Sequence, residues 1–219
     1  MGALSFEPTI FCPLDYVTLG LKDPIKDYLG KPRILSLLSV ILDKTVDENE
    51  KMLVTSEAKD VITVFHGTRA PSLSIQQYID RIFRYSNCSP SCFVIAHIYL
   101  DRFIQRTNLC LNSLNIHRLL ITSVMVAAKF IDDAFFNNAY YARVGGVTTR
   151  ELNKLEMKFL FGVDFQLHVS VQTFKKYCSI LKQEDSRGLI ERPIPICGTE
   201  DSCTSSNDDG ALCSGSVSR

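Results

Sequence analysis

The sequence lacks any run of about 20 apolar residues, so no segment of it is long enough to cross a bilayer as a helix. Met1–Ile10 lacks a basic region followed by an apolar stretch, and no secretory leader is expected. Gly2 invites N-myristoylation, but Phe6 stands where that motif wants Ser or Thr. Catalytic motifs are missing as well. There is no phosphate-binding glycine loop, since Gly145-Gly146 reads as a turn, and no Gly-x-Ser-x-Gly elbow. The four histidines (His66, His97, His117 and His168) are far apart, and none belongs to a metal-binding helix motif. Cys88 and Cys92 are followed by His97, but no second ligand pair has zinc spacing, so neither metal nor cofactor is expected. A site assembled from scattered residues remains compatible with the sequence. The balance favours a binding module over an enzyme.

The chain does contain eight cysteines in 219 residues. Without a secretory leader the expected compartment is intracellular and reducing, in nucleus or cytoplasm, and free thiols are the default. No basic localisation cluster distinguishes the two. Asn87-Cys88-Ser89 matches the glycosylation pattern by chance in such a compartment. A net charge of zero hides an uneven distribution: −2 over residues 1–56, +6 over 57–183 and −4 over 184–219. The basic middle suits an acidic partner, yet +6 is ordinary for a soluble surface, and no Lys/Arg cluster marks a nucleic-acid footprint.

Apolar periodicity predicts an all-α fold. Residues 1–31, with Pro8, Pro13, Gly20, Pro24 and Gly30, read as irregular. From Pro32, Ile34, Leu37, Leu38 and Ile41 recur at helical spacing, in a helix placed within 32–56 and expected to fade near Asn49. Val61–Phe65 is too short to classify. Five further helices carry start signals. Ser74 and Gln77 form a capping box ahead of Ile75, Tyr78, Ile79, Ile82 and Phe83, which read as core. Ser89-Pro90 opens a helix to about Arg106, and Asn115 another to about Phe130. Thr148 and Glu151 form a second capping box before a helix to about Phe161, and Ser170 caps the last. Phe93–Ile104 and Leu119–Ile131 are apolar nearly all round, so both are expected inside the bundle. His97, on the first of these, reads as a satisfied core histidine. Residues 184–219 lose periodicity and read as a disordered acidic tail, with Ser202, Ser205 and Ser206 as candidate phosphorylation sites.

Three motifs in this order resemble a known family. Tyr99-Leu100-Asp101-Arg102-Phe103, Ala127-Ala128-Lys129-Phe130 with Asp132-Asp133, and Leu155-Glu156 with Leu160 and Asp164-Phe165 are similar to the box motifs of cyclins. Phe65-His66-Gly67, Cys88-Ser89-Pro90-Ser91-Cys92 and Phe136-Asn137-Asn138-Ala139-Tyr140-Tyr141 resemble the plant P-type (U-type) cyclins, which are similar to the phosphate-signalling cyclins of yeast. The resemblance covers about residues 59–182 and the helix from Pro32. It implies a single cyclin box over 57–183, a five-helix bundle around a central buried helix, with an extra N-terminal helix before it.

The resemblance also implies a non-enzymatic subunit that binds and activates a cyclin-dependent serine/threonine kinase in cell-cycle or phosphate signalling. Lys129 and Glu156 become the polar clamp on the kinase, and Phe130, Leu160 and Phe165 the apolar part of the docking face. Asp101 maps to a buried acid that supports the fold, with Arg81 and Arg84 as possible partners. From periodicity alone, Lys129 is a solvated lysine at a helix end, Glu156 an ordinary surface acid, and Phe130 and Leu160 possible core. Mitotic cyclins carry a second helical repeat, but only 36 residues follow position 183, too few and too polar for one. Their substrate-docking motif is absent too. A different class remains open on the +6 segment: a cyclin-fold adaptor that binds protein or DNA without activating a kinase.

Overall fold

The computed structural model describes residues 19–21, 31–56 and 62–186. Among these there are seven α-helices and no strand. They are α1 (Arg33–Ser56), α2 (Ile75–Ser86), α3 (Pro90–Thr107), α4 (Ile116–Ile131), α5 (Asn138–Gly145), α6 (Thr149–Gly162) and α7 (Val171–Ser186). The candidate phosphorylation sites, most of the 1–31 segment and the tail beyond Ser186 lie outside the described residues.

α4 is the centre. All of Ile116–Ala128 except Arg118 is buried, including the polar Thr122 and Ser123. Their hydroxyls donate to the carbonyls of Arg118 (2.7 Å) and Leu120 (3.1 Å) of the preceding turn, so neither needs an outside partner. α3 packs along α4 and buries Cys92–Leu100 and Phe103. Both are the helices that are apolar nearly all round. α2, α5 and α6 cover α4, while α1 packs on α2, α3 and α7. Phe65, in the short run before Gly67, turns into the core and packs edge-on against Phe103 and Phe159 at 5.1 and 6.4 Å.

The start signals act with one repeated variation. Ser74 and Gln77 close both bonds of their box. Thr148 accepts from the Glu151 amide (3.1 Å), but the Glu151 carboxylate turns to Arg118 (2.7 Å), so this box is half made. Ser89 and Asn115 stand at N-caps without capping through their side chains. Asn115 instead accepts from the Asn112 amide (3.0 Å) and donates to the Cys110 carbonyl (2.8 Å), tying the α3–α4 loop. α1 continues to Ser56, well past Asn49, and α7 runs three residues into the expected tail. α5 is a helix the periodicity did not reveal. Gly145 and Gly146 are its end, with Gly146 at φ +71 where a side chain is strained.

Candidate functional site

Lys129 comes from the last turn of α4, where a cation complements the helix dipole. The chain leaves the helix at Asp132, whose amide still donates to the Ala128 carbonyl (3.0 Å). Its carboxylate accepts from the Ser89 amide (3.0 Å), the Ser89 hydroxyl (2.9 Å) and the Cys92 thiol (3.2 Å). That acid therefore anchors the end of α4 to the start of α3, and Lys129 is carried on a fixed base.

Glu156 comes from α6. Leu152, Leu155 and Phe159 point inward at helical spacing, which turns Asn153, Glu156, Met157 and Phe161 outward and leaves Leu160 at the boundary. Lys129 Nζ lies 2.6 Å from Glu156 Oε1. The two side chains are 26% and 17% exposed, sheltered enough to be ordered and open enough to be reached.

The third wall is α5. Asn137 caps it by accepting from the Tyr140 amide (3.0 Å), which sets Asn138 as the first helical residue. Asn138 Oδ1 accepts from Lys129 Nζ, and its Nδ2 donates to Glu156 Oε2 (2.6 Å) and to Asn153 Oδ1 (2.7 Å). Asn138 and Asn153 were not singled out as site residues by the sequence. The string that contains Asn138 carries the family resemblance, but nothing in an Asn-Asn pair marks it as part of a charged network assembled from three helices.

Apolar side chains stand open on α4, on α6 and in the turns that follow them. Phe130 and Phe165 are 53% and 54% exposed, while Leu160 is half-buried against the core. The sequence did not mark Phe161, which is 65% exposed, nor Met157, Ile131, Phe135 and Phe136, all exposed as well. Phe161 and Phe165 pack edge-on at 5.3 Å, and Phe136 stacks on Tyr140 at 4.0 Å. Phe165 pays for its position: with Asp164 it has positive φ (+53 and +55), a conformation disfavoured for a bulky residue. The turn is held by the Phe165 amide on the Leu160 carbonyl (2.9 Å) and by Arg106 on Asp164 (3.0 Å).

Asp101 belongs elsewhere. It is not buried: its side chain is 38% exposed. Neither candidate arginine is its partner among the described contacts. Arg81 donates to the carbonyls of Val144 (2.8 Å) and Arg143 (3.3 Å). Arg84 lines a cleft of about 470 Å³ with Lys31, Asp80 and Tyr85. Asp101 accepts instead from the Tyr177 hydroxyl (2.8 Å). His97 is buried, with Nε2 3.9 Å from Asp101, beyond hydrogen-bond reach, and its Nδ1 has no hydrogen-bond partner, so the expectation of a satisfied core histidine is not met. Burial holds its pKa below the ordinary imidazole value, against the pull of Asp101. Among the described residues no group of three His, Cys, Asp or Glu could hold a metal ion, and no helix is long and apolar enough to cross a membrane.

Comparison with known proteins identifies the family. The family model for Cyclin matches residues 33–167, from the start of α1 to just beyond α6. Cyclin-P3-1 of Oryza sativa subsp. japonica is 50% identical over 196 residues, covering 89% of this chain and 83% of that protein. Cyclin-U3-1 of Arabidopsis thaliana is 46% identical over 221 aligned positions that span the whole of both chains. Cyclin-P4-1 of Oryza sativa subsp. japonica is 43% identical over 186 residues, covering 83% of this chain and 87% of that protein.

Proposed function

The chain belongs to the cyclin family, among the plant P-type and U-type cyclins, and from that premise we propose that it binds and activates a cyclin-dependent serine/threonine kinase through the surface around Lys129 and Glu156. Cyclins are regulatory rather than enzymatic proteins and are generally associated with such kinases. A protein kinase is competent only when a Glu on its mobile αC helix pairs with the lysine of strand β3. A subunit that binds the αC-in state better than the αC-out state shifts the population toward activity without entering the chemistry. The pathway served by the kinase is cell-cycle or phosphate signalling.

One observation carries the reading: a sheltered Lys129–Glu156 pair joining the end of α4 to α6, with exposed aromatic rings at the ends of the same two helices and just beyond α6. Lys129 offers ammonium donors and Glu156 carboxylate acceptors to backbone groups of a docked helix, which fixes register. Phe130, Phe165 and the half-buried Leu160, with Phe161 and Met157, supply the apolar area that drives association.

The test is a pull-down of a panel of cyclin-dependent kinases by the purified protein and by the folded Lys129→Ala/Glu156→Ala variant, followed by a phosphorylation assay. Capture and activation of a kinase by the wild type alone is the expected result. Capture without activation would leave the adaptor reading, and no capture by either protein would end the docking proposal.

A further inference from the structure

We propose that Asn138 is a positioning residue that presets the Lys129–Glu156 pair in the free protein, so that both groups meet the kinase already oriented. This rests on the kinase-docking reading above and adds a third residue, from a third helix, to it.

The argument is an inventory of donors and acceptors. An ammonium has three N–H donors. Lys129 spends one on Glu156 Oε1 and one on Asn138 Oδ1, which leaves one to point outward. A carboxylate has about four lone-pair directions. Glu156 receives Lys129 on Oε1 and Asn138 on Oε2, which leaves about two. Asn138 itself is nearly saturated: both N–H donors of its amide are used, on Glu156 and Asn153, and its oxygen holds Lys129. It has almost nothing left for a partner. Its role is therefore to aim the other two rather than to touch the kinase.

The placement is reinforced from both sides. Asn137 caps α5 and fixes the first helical turn, and Asn153 on α6 locks the amide plane so that oxygen faces the ammonium and nitrogen faces the carboxylate. A two-residue pair of Lys and Glu without such a support loses side-chain freedom only when it binds, and that ordering cost is subtracted from affinity. Here the ordering is done in advance.

The chosen variants are Asn138→Ala, and Asn138→Asp, which keeps size and the Lys129 acceptor but loses both donors. Affinity for the kinase captured by the wild-type protein is measured for each, alone and in the Lys129→Ala/Glu156→Ala background. Loss of one charge-assisted support corresponds to about tenfold weaker binding for Asn138→Ala. The double-alanine variant fails the pull-down, so its residual affinity is read by titration at kinase concentrations well above those of the capture assay, and there the same change has no effect, because there is nothing left to aim. An equal affinity loss in both backgrounds, or no loss in the wild-type background, overturns the proposal, and a general loss of folding would show as the former. If the double-alanine variant itself binds as well as wild type, the docking reading falls, and the inference is then decided on the free protein. There, the Lys129 ammonium gives a slowly exchanging 15N signal in the wild type that broadens away in Asn138→Ala. An unchanged signal overturns it independently of any kinase.

Discussion

Tyr177, on the last described helix, donates a 2.8 Å hydrogen bond from its hydroxyl to Asp101 Oδ2 on α3, across 76 residues of sequence. The bond sets α7 against α3 and gives Asp101 a phenol rather than an arginine as its partner. Burial, with the nearby Asp101 carboxylate, keeps the phenol protonated by raising its pKa. Tyr177→Phe keeps the ring that packs against His97 at 5.4 Å and removes only the bond. It is expected to cost about 1.5 kcal/mol of stability, somewhat more than a neutral bond because the acceptor is charged. Urea denaturation checks this: an unchanged midpoint would mean that water replaces the phenol at the part-exposed acid without loss.

Acid should loosen the same corner. Burial lowers the pKa of His97 and of His117 below the ordinary 6.5. His97 faces Asp101 and Tyr177; His117 lies edge-on to Tyr78 at 4.8 Å and has Nε2 2.9 Å from the Leu73 carbonyl. When the folded pKa is the lower one, the unfolded chain binds the proton first. Stability is then complete above the unfolded value and is lost as pH falls from it toward the folded value, at roughly 1.4 kcal/mol per unit of separation. Melting temperatures measured between about pH 7.5 and 5.5 should fall with acid, and the slope should be shallower in His97→Gln. A flat profile in the wild type would contradict it.

The architecture was readable because its signals are local. Pro32, Ser74 with Gln77, Ser89-Pro90 and Thr148 each mark a helix start within a few residues, and the two helices that are apolar nearly all round could only be interior. α5 was not readable: at eight residues it is too short for a periodic stripe, and its one cap, Asn137, resembles any loop asparagine. The Lys129–Glu156 pairing followed from resemblance, since residues 27 apart on two helices have no spacing rule to join them. Phe161 and Phe165 show the sharper limit. Periodicity places an aromatic residue on a helix face but does not say whether another element covers that face, and here none among the described residues does so fully.

Gly162 was also silent in the sequence, and its role is steric. A Cβ built there would sit 2.2 Å from Cε2 of Phe103, which is buried and stacked on Phe159 at 5.0 Å. The ring has no room to retreat between Phe65 and Phe159. Gly162→Ala should therefore destabilise by about 1–3 kcal/mol through overpacking, despite the better helix propensity of Ala. Thermal melts of the variant test this, and a stabilised protein would mean that the end of α6 shifts freely.

Phe165 should separate stability from binding. Its backbone is left-handed at φ +53, which costs a bulky residue about 1–2 kcal/mol, whereas Asn tolerates that region well. Its ring is half exposed, so replacing it forfeits little burial beyond the contact with Phe161. Strain relief and lost contact therefore nearly balance, and Phe165→Asn should leave the melting temperature unchanged or slightly raised. The same substitution removes an aromatic ring from the proposed docking face. Buried aromatic anchors commonly carry 2 kcal/mol or more of an interface, so kinase affinity should fall by roughly thirtyfold. Differential scanning fluorimetry and a kinase titration on the same preparation read both effects. A variant that is destabilised and binds normally would show Phe165 to be a packing residue, and the strained turn at Asp164-Phe165 would then serve the end of α6 rather than a partner.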